Sequence, residues 1–142
     1  MTANAVDAGL NSLIPGGKEV SQHLWLVPDS IADGKTLAVT DGHKENTLQL
    51  CGVAVSEGDQ VARDHLRELV DIGNGAVIVV PIKKNRSGQT LADVFITKSG
   101  EEEIHLNSQM ILDGLASVDA QEVGQCPQPE VLARAEDIAK EQ

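Results

Sequence analysis

The chain has 142 residues, enough for one domain with a buried core, and its 22 acidic against 11 basic residues give a formal net charge of −11. That charge opposes attraction to nucleic acid or to an anionic membrane, and Trp25 and Phe95, the only large aromatic rings, offer little surface for stacking bases. No stretch approaches transmembrane length and the N-terminus lacks a charged region followed by an apolar one, so the expectation is a soluble cytoplasmic protein, with an exported and processed form as the alternative.

Residues 1–22 are small and polar and are interrupted by Pro15-Gly16-Gly17; they read as a loose or capping extension, with Leu13-Ile14 available to pack on a single domain over residues 23–142. Leu24-Trp25-Leu26-Val27, Lys35 to Thr40 and Asn46 to Val55 are β-like runs, the last two flanking a hairpin turn at Asp41-Gly42-His43-Lys44-Glu45. Asp59 to Val70 puts Val61, Ala62, Leu66, Leu69 and Val70 on a helical stripe, and Gly73 is expected to end that helix in the left-handed conformation. Ala76 to Ile82 is a continuous apolar run, read as a buried strand with an edge-like end at Pro81. Asn85 to Gly88 is a turn, Leu91 to Thr97 a strand and Ser99-Gly100 a further turn. Leu106 to Leu115 has helical spacing with Asn107 or Ser108 as its cap, and Glu130 to Ala139 is a last amphipathic helix after a proline-bearing loop. The order βββ-α-ββ-α-α suggests an α+β arrangement, a small barrel with helices at its side and end.

Gly34-Lys35-Thr36 invites comparison with a phosphate-binding loop. That loop requires a glycine where Asp29 stands and a strand before it, whereas the β-like run Leu37-Ala38-Val39 comes after, so nucleotide binding is not expected. Cys51 and Cys126 are too few for a disulfide framework. Cys51, within Leu50-Cys51-Gly52-Val53, reads as a small buried residue, and a single bond to Cys126 in an oxidising compartment is the alternative. His23, His43, His65 and His105 are scattered without metal-ligand spacing, and Glu101-Glu102-Glu103 reads as a charged hairpin tip. Lys83, Lys84 and Arg86 form the one basic cluster, either a solvated turn or a weak contact for nucleic acid.

Several of these stretches together resemble staphylococcal-nuclease-like (thermonuclease) domains. Asp33-Gly34-Lys35-Thr36 is similar to the family's Asp-Gly-Asp-Thr. Leu48-Gln49-Leu50-Cys51-Gly52-Val53-Ala54-Val55-Ser56-Glu57 is similar to its strand of the form Arg-Leu-x-Gly-x-Asp-x-Pro-Glu. Ala62 to Leu69 resembles its first helix, and Arg86 to Phe95 its Arg-Tyr-Gly-Arg-x-Leu-Ala segment. The fold so implied is an OB-type five-stranded β-barrel with three helices, in agreement with the element order.

Active members of that family hydrolyse phosphodiesters with a carboxylate-held calcium ion, a glutamate base and two arginines on the phosphate. Carried over residue by residue, the resemblance keeps Asp33 but puts Lys35 at a metal-ligand carboxylate, Ala54, followed by Val55, at another, and Gln49 and Gln89 at both arginines. Ser87 stands at the tyrosine next to the second arginine, and Glu57 occupies the position of the catalytic glutamate, as a vestigial base or as a carboxylate at the start of the first helix. Lys35 either pairs with Asp33 or Glu57 or is a solvated turn residue. The expectation is a catalytically degenerate domain, without cofactor, serving as a binding or structural module for a protein or peptide partner. A calcium-dependent phosphodiesterase rearranged around Arg63 or Arg86, and a weak nucleic-acid binder using Lys83, Lys84 and Arg86, are the alternatives.

Overall fold

The computed structural model describes residues 21–98 and 102–141. Nearly all of the expected N-terminal extension, including Leu13-Ile14, the Ser99-Gly100 turn and Glu101 therefore lie outside the described residues.

Strands β1 (Gln22–Leu26), β2 (Thr36–Thr40) and β3 (Glu45–Leu50) form an antiparallel meander. Alternation buries Leu37, Val39, Leu48 and Leu50 and leaves Ala38 and Gln49 on the opposite face. The run from Asn46 to Val55 is not one strand, because the chain turns at Cys51-Gly52 and resumes as β4 (Val53–Ala54). Gly52 makes the break: its φ is +77°, which a side chain disfavours, and a Cβ would lie 2.5 Å from Leu132 Cδ1.

Helix α1 (Gln60–Ile72) starts from Asp59, whose Oδ1 accepts from Ala62 N at 3.0 Å. Ala62, Leu66, Leu69 and Val70 are buried, whereas Val61 points to solvent. Gly73 does not take the left-handed conformation; its φ is −91°, and Asn74 and Gly75 are the positive-φ residues. Glycine is required at 73 for space, since a Cβ would lie 3.0 Å from Ala76 O and 3.1 Å from Ile96 Cβ.

Strands β5 (Ala76–Lys84) and β6 (Thr90–Lys98) pair antiparallel, with an irregularity between Pro81 and Lys83. Pro81 thus marks a bulge inside β5 rather than its end, and the strand continues to Lys84 because only one ladder donor is lost. β6 also pairs parallel with β3, from Leu48↔Thr90 to Leu50↔Ala92, and β1 pairs with β5. These contacts close β1-β2-β3-β6-β5 into a five-stranded barrel, so the α+β, OB-type expectation holds. A further strand, β7 (Glu102–His105), extends the sheet along the other half of β6 and carries Glu102 and Glu103 exposed.

Helix α2 (Leu106–Leu112) follows at once and is shorter than its sequence periodicity suggests. Its N-cap position is His105, and Asn107 is not a cap. Asn107 is fully buried, where its Nδ2 donates to Cys51 O at 3.0 Å and Ala92 O at 3.1 Å and its Oδ1 accepts from Val94 N at 3.0 Å. β8 (Ser117–Val118) pairs antiparallel with β4, a 3₁₀ turn spans Val123–Gln125, and α3 (Pro129–Lys140) packs on α2. Cys51 is fully buried, as expected, but it is not a free thiol: it is bonded to Cys126 across 75 residues, joining the barrel to the segment before α3. No helix among the described residues is long and apolar enough to cross a membrane.

Candidate functional site

The turn before β2 is built on Asp33, whose Oδ1 accepts from the Lys35 backbone N–H at 2.9 Å. Ala32 N donates to Thr36 O at 3.0 Å, and Leu50 N donates to Lys35 O at 2.8 Å, so the turn is tied to the end of β3. Gly34 lies against α1, where a Cβ would meet Ala62 Cβ at 2.7 Å and Val55 Cγ1 at 3.0 Å. Close approach to α1 accounts for Gly34, and the hydrogen bond to the Lys35 backbone accounts for Asp33. Lys35 is half-buried, and among the described residues its ammonium forms no ion pair, so the expected pairing with Asp33 or Glu57 is not present.

Gln49 on β3 and Gln89 just before β6 are brought together by Asn85, at the end of β5. Asn85 Nδ2 donates to Gln49 Oε1 at 2.8 Å and to Gln89 Oε1 at 3.2 Å. Asn85 Oδ1 accepts from Ser87 N at 2.9 Å and Gln89 N at 3.0 Å. Those two backbone donors fix which way the Asn85 amide faces, and its orientation in turn fixes both glutamines. The result is a neutral, half-buried cluster of three carboxamides where the resemblance places two guanidinium groups. Asn85, which reads from sequence only as a turn residue, is the part that sequence reasoning misses; an asparagine opening a turn signals self-capping, not a partner 36 positions away.

Glu57 is exposed, precedes Gly58 at φ +76°, and lies ahead of the helix cap. The carboxylate that meets the N-terminus of α1 is Asp59, which corrects the structural role expected for Glu57. Ala54 and Val55 are half-buried and, with Ser56 and Asp59, form one wall of a groove of about 400 Å³. Gly114 to Ser117 form the other wall. Sequence reasoning takes Gly114 and Leu115 only as the end of a helix and assigns none of these four residues to a site, because the two walls are distant in the chain and meet only through the β4–β8 pairing of Ala54 with Ser117.

Arg63 shares a smaller cleft of about 260 Å³ with Asp33 and Asp59; its guanidinium pairs with Asp64 at 3.4 Å, and its Nε is buried without an acceptor among the described residues. Lys83, Lys84 and Arg86 are exposed and form no ion pair among the described residues, Lys84 sharing a cleft of about 240 Å³ with Lys44. The histidines do not converge: His65 binds Asp113 at 2.6 Å between α1 and α2, and His105 lies 3.4 Å from the buried Asp93. Among the described residues no three His, Cys, Asp or Glu side chains gather as a metal shell.

A family model described as staphylococcal nuclease homologue matches residues 44–142, which takes in β3 and everything after it and leaves the Asp33–Thr36 turn outside the match. No curated protein matches the chain.

Proposed function

The chain belongs to the staphylococcal nuclease homologue family, and on that premise we propose that it is a nuclease-fold domain without phosphodiester hydrolysis, serving as a binding module for a protein or peptide. The observation that carries this reading is the carboxamide cluster of Gln49, Asn85 and Gln89. Phosphoryl chemistry needs cationic donors where negative charge develops, and neutral amides can hydrogen-bond an oxyanion but not neutralise it. Both glutamine Oε1 atoms are held by Asn85 Nδ2, and neither side chain carries the charge of a guanidinium.

The metal chemistry points the same way. Calcium takes six or more oxygen ligands, and Lys35, Ala54 and Val55 offer no side-chain oxygen. Asp33 spends Oδ1 on the Lys35 backbone N–H. These residues do not fit the ion, and no hydrolytic step is routed through it. Glu57, exposed and ahead of the Asp59 cap, serves on this reading as a surface carboxylate. The Cys51–Cys126 bond favours an oxidising compartment over a reducing cytoplasm. A second reading, weak nucleic-acid contact, rests on the exposed Lys83, Lys84 and Arg86, and the net charge of −11 works against it.

A calcium titration of the melting temperature tests the proposal, because an ion that binds only the native state must raise it. The expected outcome is no shift at millimolar calcium beyond that given by the same concentration of magnesium. A calcium-specific rise of several degrees would contradict the reading.

A further inference from the structure

The groove between β4 and β8 is where an interrupted ladder leaves backbone unpaired. Asp119 N donates to Gly52 O at 2.8 Å, which makes 52/119 a hydrogen-bonded pair, while Val118 N turns away to Glu136 Oε2 at 2.8 Å. In an antiparallel ladder the inward-facing bonds recur at every second residue. Ala54/Ser117, in register, is therefore the next inward pair, and Ser56/Leu115 would be the one after it. That pair is not made. Ser56 O is taken by Asp59 N at 3.2 Å and Leu115 N by Met110 O at 3.1 Å, so the two chains splay. Ser56 N and Leu115 O, one donor and one acceptor on opposite walls, have no backbone partner among the described residues.

Resting on the binding-module reading above, we propose that this groove takes an extended basic peptide segment as an inserted strand, and that this is the partner-binding site of the domain. In an extended chain the polar groups of successive residues point to opposite sides. One residue of the guest can thus give its C=O to Ser56 N while the next gives its N–H to Leu115 O. The groove volume of about 400 Å³ falls in the range of roughly 300–1,000 Å³ of ligand clefts. Its walls are small side chains, Ala54, Val55, Ala116 and Ser117, so a guest backbone can come close. Charge selects the class of guest: Asp59 lines the groove, exposed Glu57 follows its wall residue Ser56 in the chain, and no basic residue lines it. With a molecular net charge of −11, the site favours a guest carrying Lys or Arg on either side of a small apolar stretch.

The probe is the peptide acetyl-Lys-Val-Thr-Val-Lys-amide, titrated into the full chain and followed by amide nuclear magnetic resonance. The expected result is saturable shifts concentrated at Val55, Ser56, Ala116 and Ser117, with slowed exchange of the Ser56 amide. A twin methylated on its backbone nitrogens and a twin with Glu for Lys should each bind at least tenfold more weakly. Ala54→Arg, which fills the groove and reverses its charge, should abolish the shifts while the remaining spectrum stays native. Shifts elsewhere on the barrel, no binding, or equal binding of the methylated twin would overturn the groove assignment and leave the inactive-nuclease reading standing. Cleavage of DNA or RNA that is lost in Glu57→Gln would overturn that parent reading whatever the peptide does.

Discussion

Two asparagines show how single side chains organise this molecule. Asn85 aligns the carboxamides of Gln49 and Gln89, and Asn107 ties α2 to the Cys51–Gly52 turn and to both polar groups that β6 turns toward it. Asn107 is fully buried, so removing its amide strands Val94 N and Cys51 O away from water, while Ala92 O keeps the Cys51 backbone N–H at 2.9 Å. Each stranded group costs about 1–3 kcal/mol. Asn107→Ala should therefore lose about 3 kcal/mol or more in urea denaturation, and Asn107→Asp should be no better, because it lacks the two donors. A loss under about 1 kcal/mol would show that the network carries little. Both residues read from sequence as a turn former and a helix cap, which is what asparagine does locally. Their actual partners lie 36 and 56 positions away, a distance that no local preference encodes.

At the level of elements, the strands and helices are legible from periodicity wherever one face alone is buried. The stripe Ala62, Leu66, Leu69 and Val70 gives α1, and the alternation around Leu37 and Val39 gives β2. The misreadings fall where tertiary contact overrides local pattern. Gly52 splits an apolar run into β3 and β4 because Leu132 crowds it, and Gly73 is small to admit Ile96 instead of to turn left-handed. The Cys51–Cys126 bond belongs with these, since it depends on the C-terminal segment folding back onto the barrel. It closes a loop of 75 residues, for which chain entropy gives about 4 kcal/mol of stabilisation. Reduction, or Cys126→Ser with Cys51→Ser, should lower the unfolding free energy by about that amount. Hydrogen exchange should accelerate first in β8 and α3, the elements on either side of Cys126, which the bond ties to Cys51. Unchanged stability on reduction would contradict that role.

For the molecule as a whole, the resemblance of the Leu48–Glu57 and Arg86–Phe95 stretches to a known family already implies the closed five-stranded barrel, and the parallel β3–β6 pairing that completes it joins those two stretches. The resemblance also implies which groups of the family's chemistry this chain lacks, while the amide cluster and the β4–β8 groove each depend on the assembled barrel. On the proposed reading fold and activity separate at this scale: the scaffold persists, and Lys35, Gln49, Ala54 and Gln89 are the residues proposed to remove charge and ligands from the place where it would act. The most direct test is a cleavage assay on single- and double-stranded DNA and on RNA, in excess calcium, comparing the full chain with its Glu57→Gln variant. The account predicts no cleavage above that of the variant; calcium-dependent cleavage by the native chain that disappears in Glu57→Gln would contradict it.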